Sequence, residues 1–122
     1  MEADLAARRR ARRAAHTLHA RIRAYLRWAI RGDAHVNASA RLMKDVGYSG
    51  ADAHAHFQRM LGPGQTVEAV LAAGWHIDHI VPCATYDLDN AEDVRRCWCL
   101  SNLRLLPASK NIRKGAKREV LL

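Results

Sequence analysis

At 122 residues the chain has room for one domain of ordinary size, and no apolar run reaches the 18 or more residues that a bilayer span requires. Twenty Lys and Arg against twelve Asp and Glu give a net charge of +8 and a pI near 10.1, which predicts a polyanionic partner and argues against an acidic or membrane-spanning role. Three cysteines, an odd number, argue against a secreted disulfide framework and for a reducing interior.

Residues 2–31 read as one long helix. Leu18, Ile22, Tyr25, Leu26, Ala29 and Ile30 follow a 3.6-residue stripe, and Gly32 is a natural stop. The first half of this helix has mainly alanine on its apolar face, with Arg8, Arg9, Arg10, Arg12 and Arg13 crowded around it. These five are the expected backbone-binding arm for DNA. Asn37 or Ser39 caps a second helix with Leu42, Met43 and Val46 turned inward, and Gly47 ends it. Ser49 opens a third, with Ala53, Phe57, Met60 and Leu61 as its buried stripe. His54 and His56 stand two apart there and so diverge, which makes them poor joint metal ligands. After the forced turn at Gly62-Pro63-Gly64, Thr66 caps a short helix to Ala73, with Glu68 near its positive end.

Gly74 releases the chain into a β-branched run, Trp75-His76-Ile77-Asp78-His79-Ile80-Val81-Pro82, which reads as the central strand. The segment from Cys83 to Asn90 is loop-like, and Asn90 caps a helix from Ala91 to about Cys97. Leu103-Arg104-Leu105-Leu106 is the expected partner strand, closed by Pro107. Ser109 caps a final helix that carries Asn111, Lys114 and Lys117 on roughly one face.

Phosphodiester hydrolysis needs a group that deprotonates water and a cation that meets the growing charge. An imidazole, with an unperturbed pKa of about 6.5, suits the first task. A divalent ion suits the second, and magnesium needs only one or two protein oxygens besides the phosphate. Asp78 and the side-chain carbonyl of Asn111 would supply those oxygens. Asn102 is placed to hydrogen-bond across the loop beyond the strand, and Lys114 to meet a phosphate. His76 and Arg104, each weighed against plain packing or solvent exposure, are further candidates for contact with nucleic acid. Trp75 and Trp98 are expected in the core.

Three segments carry a family resemblance: Asp78-His79-Ile80-Val81-Pro82, then Leu100-Ser101-Asn102-Leu103-Arg104-Leu105-Leu106, then Asn111-Ile112-Arg113-Lys114. Together they resemble the HNH nucleases built on a ββα-metal (His-Me) finger, with Asn102 and Asn111 nine residues apart. The likeness is strong over residues 75–114, weaker over 46–74 and absent from the first 35. It implies an α+β, mostly helical fold: a two-stranded antiparallel hairpin plus helix over 75–118, helical support over 36–74, and a basic helix over 1–35, all in one nuclease domain. It implies a metal-dependent DNA endonuclease with His79 as general base, Asp78 and Asn111 as ligands of one divalent ion (magnesium first, manganese or another transition metal next), and Asn102 orienting the loop. Cleavage would leave 5′-phosphate and 3′-hydroxyl ends. It also implies a phage or prophage setting in the host cytoplasm, with a terminase or packaging protein as partner and no membrane.

Two departures stand out. Asn111 occupies a position where many members have His, and the paired CxxC motifs that hold a structural zinc in some members are missing. On a regular strand Asp78 and His79 also face opposite sides, so joint action requires a distorted strand or a substrate lying over its end. The rival reading is a non-catalytic nucleic-acid-binding module stabilised by zinc on His76, His79, Cys83, Cys97 and Cys99. Its weakness is the one-residue gap of Cys97-x-Cys99 and the divergence of His76 and His79 on a strand.

Overall fold

The computed structural model of the chain describes residues 2–31 and 36–110. The fold is α+β and mostly helical. Its elements in order are α1 (Glu2–Ala29), α2 (Val36–Val46), α3 (Gly50–Met60), α4 (Val67–Ala72), β1 (His76–His79), α5 (Ala91–Cys97) and β2 (Leu103–Leu106), with single helical turns at Cys83–Thr85 and Leu100–Asn102. No described helix is long and apolar enough to cross a membrane.

Helix α1 is the spine. Of its predicted stripe, Leu18, Ile22, Leu26 and Ile30 are buried and Tyr25 and Ala29 half-buried; Ala15 extends the buried face, and α2, α3 and α5 pack against the helix. Leu42 of α2, Ala53 and Phe57 of α3, Val67 and Val70 of α4, and Val94 and Cys97 of α5 complete the same cluster. Two residues expected inside face solvent instead: Met43 is 45% exposed and Met60 47%. Both sit at the margin of their stripes, where hydropathy alone misplaces an unbranched side chain.

The caps that the sequence advertises are made. Ser49 and Asp52 form a capping box on α3, Thr66 accepts from the Ala69 N–H, and Asn90 accepts from the Asp93 N–H. Gly74 ends the α4 segment at φ 88°, a left-handed conformation that glycine adopts without cost. Gly50 meets a different demand. A Cβ there would lie 2.7 Å from the Ala29 Cβ and 3.0 Å from the Ala29 carbonyl oxygen, so the start of α3 touches the end of α1 with no room for a side chain. Gly50→Ala is therefore expected to cost about 1–3 kcal/mol, read as a lowered urea midpoint with unchanged slope. An unshifted midpoint would mean that the helices separate freely at this point.

Strands β1 and β2 pair antiparallel in the register His76↔Leu106, Ile77↔Leu105, Asp78↔Arg104 and His79↔Leu103. Because side chains alternate, Ile77 and His79 share a face with Leu105 and Leu103, while Asp78 shares the other with Arg104. The chain becomes helical again at 108–110, with the Lys110 N–H bonded to the Pro107 carbonyl. Ser109 thus lies inside this turn and does not cap it, because Pro107 already opens the helix. The helical part of the expected finger, with Asn111, Lys114 and Lys117, lies outside the described residues.

Candidate functional site

His79 ends β1 on the face that looks toward α1 and α5. Its ring meets Trp98 edge-on, with centroids 4.4 Å apart. Trp98 is fixed from two further sides. The buried Tyr48 hydroxyl donates to its carbonyl at 2.8 Å, and its indole N–H donates to His19 Nδ1 at 2.8 Å. Burial pushes the Tyr48 phenol well above its ordinary range, which keeps it a donor. Burial likewise lowers the pKa of His19, in keeping with an Nδ1 that accepts from the indole.

Asn102 sits 5% exposed just before β2 and bridges three strands of chain. Its Oδ1 accepts from the Val81 N–H at 2.7 Å, and its Nδ2 donates to the Val81 carbonyl at 3.1 Å and to the Cys97 carbonyl at 2.9 Å. The Asn102 carbonyl also accepts from the Ile80 N–H at 2.8 Å. The side-chain amide thus reads Val81 as a neighbouring strand would, just past His79.

A cavity of about 460 Å³ runs alongside β1. His79, His76 and Cys83 line it on one side, and His19, Arg23, Arg27 and Arg31 on the other. His19, Arg23 and Arg27 recur every fourth residue along α1 and Arg31 continues the spacing just past its end, so three arginines make one cationic wall. Sequence reasoning passed over them in favour of the denser arginine run at 8–13. Their signal was the four-residue spacing, but which face of α1 turns toward β1 is decided by the tertiary fold.

The other expected contacts fall differently. Arg8, Arg9, Arg10, Arg12 and Arg13 are all exposed, away from the residues lining the cavity. Arg8 pairs with Asp4 at 3.8 Å, and Arg12 with Asp89 at 3.4 Å. His16 reaches the same Asp89 oxygen at 2.6 Å, so this part of α1 also clasps the loop before α5. Arg104 donates through Nε to Asp78 Oδ2 at 2.9 Å. Asp78 is only 4% exposed, and the strand directs it and His79 to opposite faces. His76 is exposed and lines the cavity. His54 pairs with Glu68, and His56 bonds the Leu103 carbonyl, tying α3 to β2.

Behind His79 lies a second constellation. The ligating atoms of His79, Cys83 and Cys97 all lie within 4.8 Å of one another, a group that could hold a metal ion. Cys83 comes from the helical turn after Pro82, and Cys97, fully buried, is the last residue of α5. The neighbouring Cys97 thiol, and to a lesser degree His79, lower the Cys83 thiol below its ordinary range against the opposing effect of burial. Cys97, which donates to Cys83 from a buried position, is pushed up.

No family model and no solved structure matches the chain. A protein of Acanthamoeba polyphaga mimivirus, itself uncharacterized, is 40% identical over 43 residues, which cover 35% of this chain and 19% of that protein. A second uncharacterized protein of the same virus is 38% identical over 45 residues, covering 37% of this chain and 20% of its own length. The matched stretch thus spans about a fifth of either mimivirus relative.

Proposed function

We propose that the chain is a metal-dependent DNA endonuclease of the HNH type. The observation that carries this reading is the juxtaposition of His79 with the wall of Arg23, Arg27 and Arg31 in one cavity. A base and a phosphate-binding surface then face the same space, as in-line attack on a phosphodiester requires. In this reading His79 takes a proton from water, and Asn102 fixes the backbone that carries His79 through its grip on Val81.

The expected divalent ion has one described donor, the Asp78 carboxylate. Its hard oxygens suit magnesium; among the described residues the carboxylate pairs with the Arg104 guanidinium at 2.9 Å, a contact that a bound ion would have to share or replace. An ion held by Asp78, with Asn111 as second ligand, would supply neutralising charge at the leaving oxygen. Because Asp78 and His79 face opposite ways, this reading requires the scissile linkage to lie over the end of β1, so that one phosphate meets both.

The test is cleavage of supercoiled plasmid with magnesium, manganese or EDTA, together with binding of duplex DNA at several salt concentrations. Replacing Arg23, Arg27 and Arg31 with Gln is expected to reduce the slope of log K against log salt by up to about 2.7, at about 0.9 per lost phosphate contact. Affinity should fall to a similar extent on every sequence. A slope unchanged in this variant, but reduced by substitutions at Arg8 to Arg13, would move the DNA to the distal arm and away from His79.

A further inference from the structure

We infer that His79, Cys83 and Cys97 form a soft-metal site that binds one Zn²⁺, and that occupancy withdraws His79 from catalysis. The regulatory half of this inference rests on the nuclease reading; the metal site does not. One imidazole and two sulfurs are the donor set of zinc, not of magnesium, which prefers oxygen.

The geometry is close to what the ion requires. Ligands about 2.0–2.3 Å from a tetrahedral zinc are separated by about 3.8 Å or less, so atoms within 4.8 Å need to close by no more than about 1 Å. Closing the triangle asks little of the backbone, because its corners come from three different segments: the end of β1, the turn after Pro82 and the end of α5. Zinc would bind as a thiolate complex, releasing to solvent whatever protons the two sulfurs still carry and replacing the contacts among His79, Cys83 and Cys97 with metal bonds. Cys99 stands outside the triangle, with its Sγ 3.3 Å from Ser101 Oγ. Three protein ligands leave the fourth tetrahedral position to water from the cavity that His79 and Cys83 line.

The consequence for activity is competitive. An imidazole nitrogen that donates its lone pair to zinc cannot also take a proton from water. Magnesium at Asp78 and zinc at His79 would then act in opposition, one supporting cleavage and the other silencing it.

The experiment is titration of the reduced, metal-free full chain with Co²⁺, then displacement by Zn²⁺, in parallel with Cys83→Ser, Cys97→Ser and Cys99→Ser. The wild type should take up one Co²⁺ with thiolate-to-cobalt charge-transfer absorption and tetrahedral visible bands. Cys83→Ser should lose most of that absorption and bind zinc more than about 100-fold more weakly, beyond what loss of an outer partner causes. Cys99→Ser should keep the spectrum. Cys97 is buried, so Cys83, at the cavity, is the decisive position, and circular dichroism establishes that its variant is folded. No charge-transfer band in the wild type, or an undiminished band in folded Cys83→Ser, overturns the site. In the plasmid assay one equivalent of zinc should silence the magnesium-supported wild type while leaving Cys83→Ser insensitive. Zinc bound with cleavage undiminished overturns the regulatory half. A chain that never cleaves removes the nuclease reading and that half with it, while the cobalt spectrum still decides the metal site.

Discussion

His79→Ala is expected to lower plasmid cleavage by about 10²- to 10⁴-fold, the usual contribution of a positioned general base, while duplex binding is largely retained. Under the nuclease reading the separation follows from the layout of the cavity, with Arg23, Arg27 and Arg31 to supply the attraction and the His79 imidazole to supply proton transfer. The variant also loses the edge contact with Trp98, so its fold must be verified by near-UV circular dichroism, which reports directly on that indole. His79→Gln, which restores bulk against Trp98 without a base, should be equally inactive. Turnover close to wild type in either variant would strip His79 of its role.

The second large effect is on stability. Asn102→Ala should destabilise the chain by about 3 kcal/mol or more, because it abandons the Val81 N–H, the Val81 carbonyl and the Cys97 carbonyl, at about 1–3 kcal/mol for each group left buried without a partner. Asn102→Asp separates the contributions. It keeps the acceptor for the Val81 N–H but sets a carboxylate against two carbonyl oxygens, so it should be no better than alanine. Thermal unfolding measures both. An aspartate variant with wild-type stability would show that the two donated hydrogen bonds contribute little, and that Asn102 does not hold the loop after His79 in place.

Much of the fold was written in short-range signals. Ser49, Thr66 and Asn90 mark helix starts because a side-chain oxygen before an apolar run can satisfy orphan N–H groups, and all three do so. The strands were legible as short apolar runs between turn residues, and Leu103–Leu106 pairs as expected with the 75–82 run, of which His76–His79 forms the strand. Asp78, His79 and Asn102 stood out because their residue types are costly to bury and need a reason.

What stayed hidden depends on contacts between distant segments. Arg23, Arg27 and Arg31 are ordinary exposed arginines until β1 is laid beside α1. Cys83 and Cys97 are fourteen residues apart and belong to no common spacing motif, so only the docking of α5 brings their sulfurs together. The rival zinc reading did name His79, Cys83 and Cys97, but with His76 and Cys99 beside them, and only the fold separates the three that converge from the two that do not. The partnership of Asp78 with Arg104 is a matter of strand register, which local sequence specifies poorly when both strands are only four residues long.

Because α1 furnishes both the hydrophobic spine and the cationic wall, the guanidinium groups hang from a backbone that is locked before any polyanion arrives. A polyanion docking on this wall would freeze chiefly long side chains, at about 0.5–1.5 kcal/mol apiece. Under the nuclease reading, turnover should then be limited by chemistry or by escape of the nicked strand, because this wall is already in place.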